Sequence, residues 1–164
     1  MADLKLQALD GLDLAVLSAL CQDAVVRVED LAFDRRDRRF VLVCNRFDGM
    51  PVADKGRRGY ERRRTGLRFE RVTRAQIAGF DVRAAGTVLA LLAITFAPGD
   101  APAGQITLQF AAGAAVRLDV DCIEAELKDL GAVWSTALKP DHTADDPAAA
   151  AAGHGAEGGQ RDTL

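Results

Sequence analysis

Thr87-Val88-Leu89-Ala90-Leu91-Leu92-Ala93-Ile94-Thr95-Phe96 is the most apolar run of the chain. It is about half as long as the roughly 20 residues that a spanning helix needs, so no membrane partner is expected. Gly86 precedes it, and Ala97-Pro98-Gly99-Asp100-Ala101-Pro102 turns the chain after it. Thr87, Val88, Ile94 and Thr95 are β-branched. A short apolar run between turn signals predicts a buried strand. The flanking segments follow the same logic. Gln105–Phe110 alternates with Ile106, Leu108 and Phe110 inward, and beyond Gly113, Val116, Leu118 and Val120 alternate with Arg117 and Asp119. Upstream, Thr65–Val72 sets Leu67 and Phe69 against Arg68 and Glu70, and Arg74–Phe80 is read as a further strand. Arg39–Phe47 is apolar on both faces, as a central strand should be. The turn Asp34-Arg35-Arg36-Asp37 joins it to a strand running through Val26, Val28, Leu31 and Phe33. Leu4–Leu9 predicts a short first strand, and Asp48–Gly59 a polar loop.

Two segments carry helical signals. Asp10 with Asp13 reads as a capping box opening a helix over Gly11–Cys21, with Leu9, Leu12, Val16, Leu17 and Leu20 on one apolar face. Asp121-Cys122-Ile123-Glu124 is a second capping box. Ile123, Leu127 and Leu130 follow at helical spacing, and Gly131 supplies a stop. The expectation is one α+β domain over about residues 4–139, with six to eight mostly antiparallel strands, an N-terminal helix and a capping C-terminal helix. The preferred form is a rolled sheet or partly open barrel, pleckstrin-homology-like in outline; the alternative is a flat sheet with both helices on one face. Residues 140–164 hold Ala, Gly, Pro and Asp with no aromatic or β-branched aliphatic residue, which predicts a disordered tail.

The 164 residues are 49% hydrophobic and 27% charged, which fits one ordinary globular domain and excludes collagen-like and disulfide-scaffold classes. Cys21, Cys44 and Cys122 are odd in number and lie in apolar contexts, as reduced thiols would. The start, Met1-Ala2-Asp3-Leu4-Lys5, has no secretory pattern, so a cytoplasmic protein is expected.

Catalytic chemistry is thinly supplied. The two histidines, His142 and His154, lie at or beyond the edge of the expected domain, and no Cys or His pair has ligand spacing. No metal and no cofactor is expected. The Gly153-x-Gly155-x-x-Gly158 pattern has neither a strand before it nor a helix after it, and is a by-product of a Gly-rich tail. Cys122 would sit at the start of the last helix, where the dipole favours a thiolate, but Asp119, Asp121 and Glu124 oppose it.

The charge is segregated. Residues 35–74 carry 14 Lys and Arg against 5 Asp and Glu, whereas the rest of the chain carries 7 against 19. Nine of those basic residues lie between Lys55 and Arg74, with Tyr60 among them. Arg57, Arg58, Arg62, Arg63, Arg64 and Arg68 are the candidate binding residues, because the planar guanidinium suits phosphate and carboxylate. Opposing this, Asp119 to Asp129 holds five carboxylates and one lysine, able to neutralise the arginines within the chain or across a dimer.

Gln22–Val26, Arg39–Phe47, Arg62–Glu70 and Cys122–Leu130 resemble a family of short bacterial proteins, frequent in alphaproteobacteria, defined as a domain of unknown function. The resemblance spans Leu4 to His142 and implies a bacterial cytoplasmic protein. It brings no catalytic residues with it. The expected function is a small non-catalytic binding module whose Arg-rich surface meets an anionic partner: RNA, another polyanion or an acidic protein. The alternatives are a homo-oligomer held by complementary charged faces and an enzyme using Cys122.

Overall fold

The computed structural model describes residues 3–51, 60–133 and 162–163. They form β1 (Lys5–Ala8), α1 (Gly11–Leu20), β2 (Val25–Asp34), β3 (Arg39–Pro51), β4 (Tyr60–Phe69), β5 (Val72–Ala78), β6 (Val88–Pro98), β7 (Gly104–Phe110), β8 (Ala115–Val120), β9 (Ala125–Val133) and β10 (Asp162–Thr163). The strands make one open sheet in the order β1-β9-β4-β3-β2-β6-β7-β8-β5-β10, with every neighbouring pair antiparallel. Strand β6 joins the two halves. Its first residues, 88–90, pair with β2, and its later ones, from Leu91 on, pair with β7. Inward side chains of both halves, among them Phe40, Phe69, Phe110, Leu91 and Leu118, share one apolar core.

The apolar run that opened the sequence is β6, and its inward positions Leu89, Leu91 and Ile94 are buried. Helix α1 packs on it. The Asp10 carboxylate accepts the Asp13 N–H at 2.8 Å, and the Asp13 carboxylate accepts the Leu9 N–H at 3.2 Å. These bonds satisfy donors that a helix start leaves unpaired. Ser18 Oγ accepts the Ile94 N–H at 2.9 Å, beside a register shift in β6.

The buried face of α1 overlaps only in part with the one expected: Leu17 is buried and Leu20 packs on the core, as expected. Leu14 and Leu17 are buried, whereas Leu9, Leu12 and Val16 are exposed. The segment Gly11–Leu20 is apolar nearly all round, so periodicity could not select the face; the cap geometry and the Ser18 contact do. Leu14→Ala should therefore lower unfolding free energy by about 2–5 kcal/mol, as deletion of buried methylenes does. Leu12→Ala should stay within about 0.5 kcal/mol, as at an exposed site. Urea midpoints measured on both variants check this, and a larger loss for Leu12→Ala than for Leu14→Ala would show the helix seated the other way round.

The capping C-terminal helix is replaced by strand. Residues 125–133 are β9, held between β1 and β4. The segment satisfies a period of two as well as one of 3.6: Ile123, Ala125, Leu127 and Asp129 are buried, while Glu124, Glu126, Lys128 and Leu130 face outward. Two ladders of hydrogen bonds decide between the periods, and local signals could not anticipate either ladder. Asp121 caps no helix; its N–H donates to the Arg71 carbonyl at 3.0 Å, and its carboxylate meets Arg38. Gly131, read as a helix stop, has φ +129° at a bulge opposite Arg64 and Thr65. With no helix closing it, the pleckstrin-homology-like outline gives way to an open sheet, and so does the version with two helices on one face.

Smaller departures concern the loop expected over Asp48–Gly59. Residues 48–51 continue β3, and residues 52–59 lie outside the described residues. Of the expected tail, Asp162 and Thr163 pair with Ile77 and Gln76 of β5. The rest of that segment, with both histidines and the glycine pattern, lies outside the described residues.

Gly79 illustrates a close approach in the second half. Its φ is +80°, and a Cβ placed there would sit 2.5 Å from the Gly113 carbonyl oxygen. Only glycine fits such a contact between two backbones.

Candidate anion-binding face

Strand β4 decides how the arginines are displayed. Its odd positions, Arg63, Thr65, Leu67 and Phe69, are buried, so its even positions, Arg62, Arg64, Gly66 and Arg68, face outward. The expected cluster is thereby divided. Arg57 and Arg58 lie outside the described residues. Arg63 points inward, and its Nη1 lies 3.0 Å from Asp3 Oδ1. Arg68 lies between two carboxylates: its Nε is 2.9 Å from Glu70 Oε2 and its Nη2 is 3.0 Å from Glu126 Oε1. The Nε contact lacks hydrogen-bond geometry and acts as a charge contact. Arg62 stacks over the Phe47 ring, 4.5 Å from its centroid. Arg64 is exposed and has no partner among the described residues.

Much of the sequence-level charge segregation is complementary pairing. Arg71 Nε meets Glu124 at 3.1 Å, Arg38 meets Asp121 at 3.2 Å, and Arg39 donates to Glu70 at 2.8 Å. Those contacts raise the Arg39 and Arg71 guanidinium pKa values, chiefly through the hydrogen bonds to Glu70 and Glu124. Four carboxylates of the segment read as an acidic helix thus face four arginines of the basic segment, the fourth pair being Arg46 with Asp129.

That fourth pair is buried. Arg46 Nη2 lies 2.6 Å from Asp129 Oδ2 and Arg46 Nε 3.0 Å from Oδ1, a fork of two parallel bonds. Thr65 Oγ1 donates to Asp129 Oδ1 at 2.7 Å, and the Leu4 N–H donates to Oδ2 at 2.9 Å. Burial pushes the Asp129 carboxyl up, but the bonds from Arg46, Leu4 and Thr65 outweigh it and hold the group below the usual carboxylate range. Reading the alternation Phe40-Leu42-Cys44 two residues further would have placed Arg46 inward, and the same rule applied to Ala125 and Leu127 would have placed Asp129 inward too.

Four cations on the outer face of β1, β9 and β4 form a strip, apart from other exposed arginines such as Arg35, Arg36, Arg74 and Arg117. Lys5 of β1 lies directly opposite Lys128 of β9, and Lys128 lies opposite Gly66 of β4. Both lysines are exposed, and neither has an ion-pair partner among the described residues. Arg64 is one outward position further along β4, and Arg62 the next, at spacings of about 6.8 Å set by the strand rise. Between the charges lie Leu130, 51% exposed, which leans over Gly66, and the half-buried Val43 and Phe47. Lys5 and Lys128 do not stand out in the sequence: each is a lone lysine in its own segment, and only the register of β1 on β9 brings them together.

Comparison with family models adds the chain's relationships. A model described as Protein of unknown function (DUF2948) matches residues 4–142, most of the sequence. The chain belongs to the DUF2948 family. No curated protein and no solved structure matches it. The DUF2948 match covers every described strand except β10, and the cationic strip with it.

The cysteines of this DUF2948 domain lie away from that strip. Cys122 lies in the turn between β8 and β9, with no helix N-terminus behind it. Cys44 is buried, and its contact with Cys21 and its burial both push its thiol pKa up, away from reactivity. Among the described residues, no three His, Cys, Asp or Glu side chains are placed to hold a metal ion, and no helix is long and apolar enough to cross a membrane.

Proposed function

We propose that this protein is a small non-catalytic binding module, and that the outer face of β1, β9, β4 and β3 docks an anionic partner through Lys5, Lys128, Arg64 and Arg62. One observation carries the reading: Lys5 and Lys128 stand directly opposite each other on paired strands. Like charges in that position are destabilising. An anion laid across the face removes the repulsion and gains charge-assisted hydrogen bonds. The acidic segment supports the same reading indirectly. Its carboxylates Asp121, Glu124, Glu126 and Asp129 face arginines of their own chain, which leaves less for a homo-oligomer built on complementary charge.

The test is titration of a labelled single-stranded oligouridylate, which supplies a phosphate backbone, at several salt concentrations. If all four cations take a phosphate, the slope of log affinity against log salt is about −3, so affinity falls roughly fiftyfold between about 50 and 200 mM salt. Absence of binding at low salt, or binding that salt does not weaken, would remove the reading.

A further inference from the structure

We propose that the anionic partner is a single-stranded nucleic acid and that one unpaired base bearing an exocyclic amine enters the pocket beside Asn45. This rests on the docking face argued above and names what that face recognises.

The pocket comes from a split in the sheet. β2 pairs with β3 at Val26 and again at Leu31, but between them it swings away, and Arg27 pairs with Val88 of β6 instead. The gap holds about 90 Å³, several times the roughly 10–15 Å³ that a single water needs. Val43 and Val88 give it apolar walls, and Arg27, Asp30, Asn45 and Arg64 line it with polar groups. Asn45 lies directly opposite Arg64 in the ladder, so the pocket adjoins the cationic strip.

Its chemistry is mixed. Arg27 and Arg64 offer donors and positive charge. Asp30 offers an acceptor, and Asn45 Oδ1 is a buried acceptor with no hydrogen-bond partner. Buried acceptors are normally satisfied. A turn about the Asn45 Cβ–Cγ bond exchanges its oxygen and nitrogen, so the amide can present either to a ligand. An acidic peptide brings ionised carboxylates, which only accept. Its carboxylates would suit the arginines but meet Asp30 and Asn45 Oδ1 acceptor to acceptor, leaving only its main-chain N–H groups as donors. A nucleotide brings both kinds of group: phosphate oxygens for Arg27 and Arg64, and base N–H groups for Asp30 and Asn45. Carboxylates accept from the cytosine N4 amine, whereas uracil has a carbonyl oxygen at the same ring position. The valine walls suit the flat face of a base, and an unpaired base can splay into such a pocket.

The experiment compares oligocytidylate with oligouridylate of equal length, titrated against the full chain by fluorescence anisotropy near neutral pH. The two probes have the same backbone charge, so their salt slopes should coincide. Oligocytidylate should bind roughly tenfold more tightly. Asp30→Asn combined with Asn45→Ala should bring the two affinities together while oligouridylate binding is retained. If that variant does not fold, the wild-type ratio and the Asp30→Asn single variant decide the matter. Equal wild-type affinities would overturn the base pocket and leave the docking face standing. Failure of both probes to bind at low salt would overturn the face as well. Polyglutamate competing as well as oligocytidylate would overturn the nucleic-acid assignment in favour of an acidic protein.

Discussion

Asp129→Ala is expected to lower the unfolding free energy by about 3–5 kcal/mol, the range for breaking a buried ion pair by removing one partner. The side chains of Arg46 and Asp129 are 3% and 0% exposed, so the deletion takes from a buried guanidinium the carboxylate it forks onto. Thr65 and the Leu4 N–H lose their acceptor at the same time. A surface pair such as Arg38–Asp121, about half exposed on both sides, should cost less than about 1 kcal/mol when broken. Replacing both core partners with apolar residues, as Arg46→Met with Asp129→Leu, should recover part of the loss because no buried charge is then left unpaired. The same carboxylate sets a pH dependence. Its folded pKa lies below its unfolded value of about 3.9, so it binds fewer protons in the native state there. Its contribution is therefore fully present above that unfolded value and is lost as pH falls through the lower folded value. Asp129→Asn should be less stable than wild type at neutral pH, and the gap should narrow at acid pH. Urea midpoints across the acid range measure this, and a constant gap would contradict the assignment.

Lys128→Glu combined with Arg64→Glu is expected to weaken oligouridylate binding at low salt by roughly a hundredfold or more. Each reversal removes a charge-assisted contact of about 1.5–3 kcal/mol and adds repulsion. The salt slope should fall from about −3 to about −1.5, because two of the four phosphate contacts disappear. Both residues lie on the outer face and neither has an ion-pair partner among the described residues, so the thermal midpoint should not fall, and relief of the Lys5–Lys128 repulsion should raise it slightly. Arg63→Ala is the contrasting control. Arg63 is buried against Asp3, so its loss should reduce stability and leave the salt slope alone. A slope unchanged by the double reversal would show that these two cations do not meet the anion.

Particular residues show where the sequence sufficed. Thr87–Phe96 offered a short apolar run between turns, Gln105–Phe110 and Val116–Val120 each offered a single period of two, and each is a strand. Asp10 and Asp13 marked the helix start because capping is made within a few residues of chain. Asp121–Gly131 offered two periods at once, and its capping residues matched the wrong one. The arginine cluster failed for a related reason. Adjacent residues of a strand face opposite ways, so Arg62, Arg63 and Arg64 could never have formed one surface once that segment was extended.

The chain's own order of residues thus determined that most of it would be strand, where the tight turns fall, and that it carries opposite charge in two separate stretches. Only the tertiary structure decided that those stretches neutralise each other, and that Lys5 and Lys128 are left facing one another. The physical reason is range. Turn, cap and alternation preferences act over a few residues, whereas a charge answers to whatever group lies within a few ångströms, and strand register sets that neighbour from the far end of the sequence.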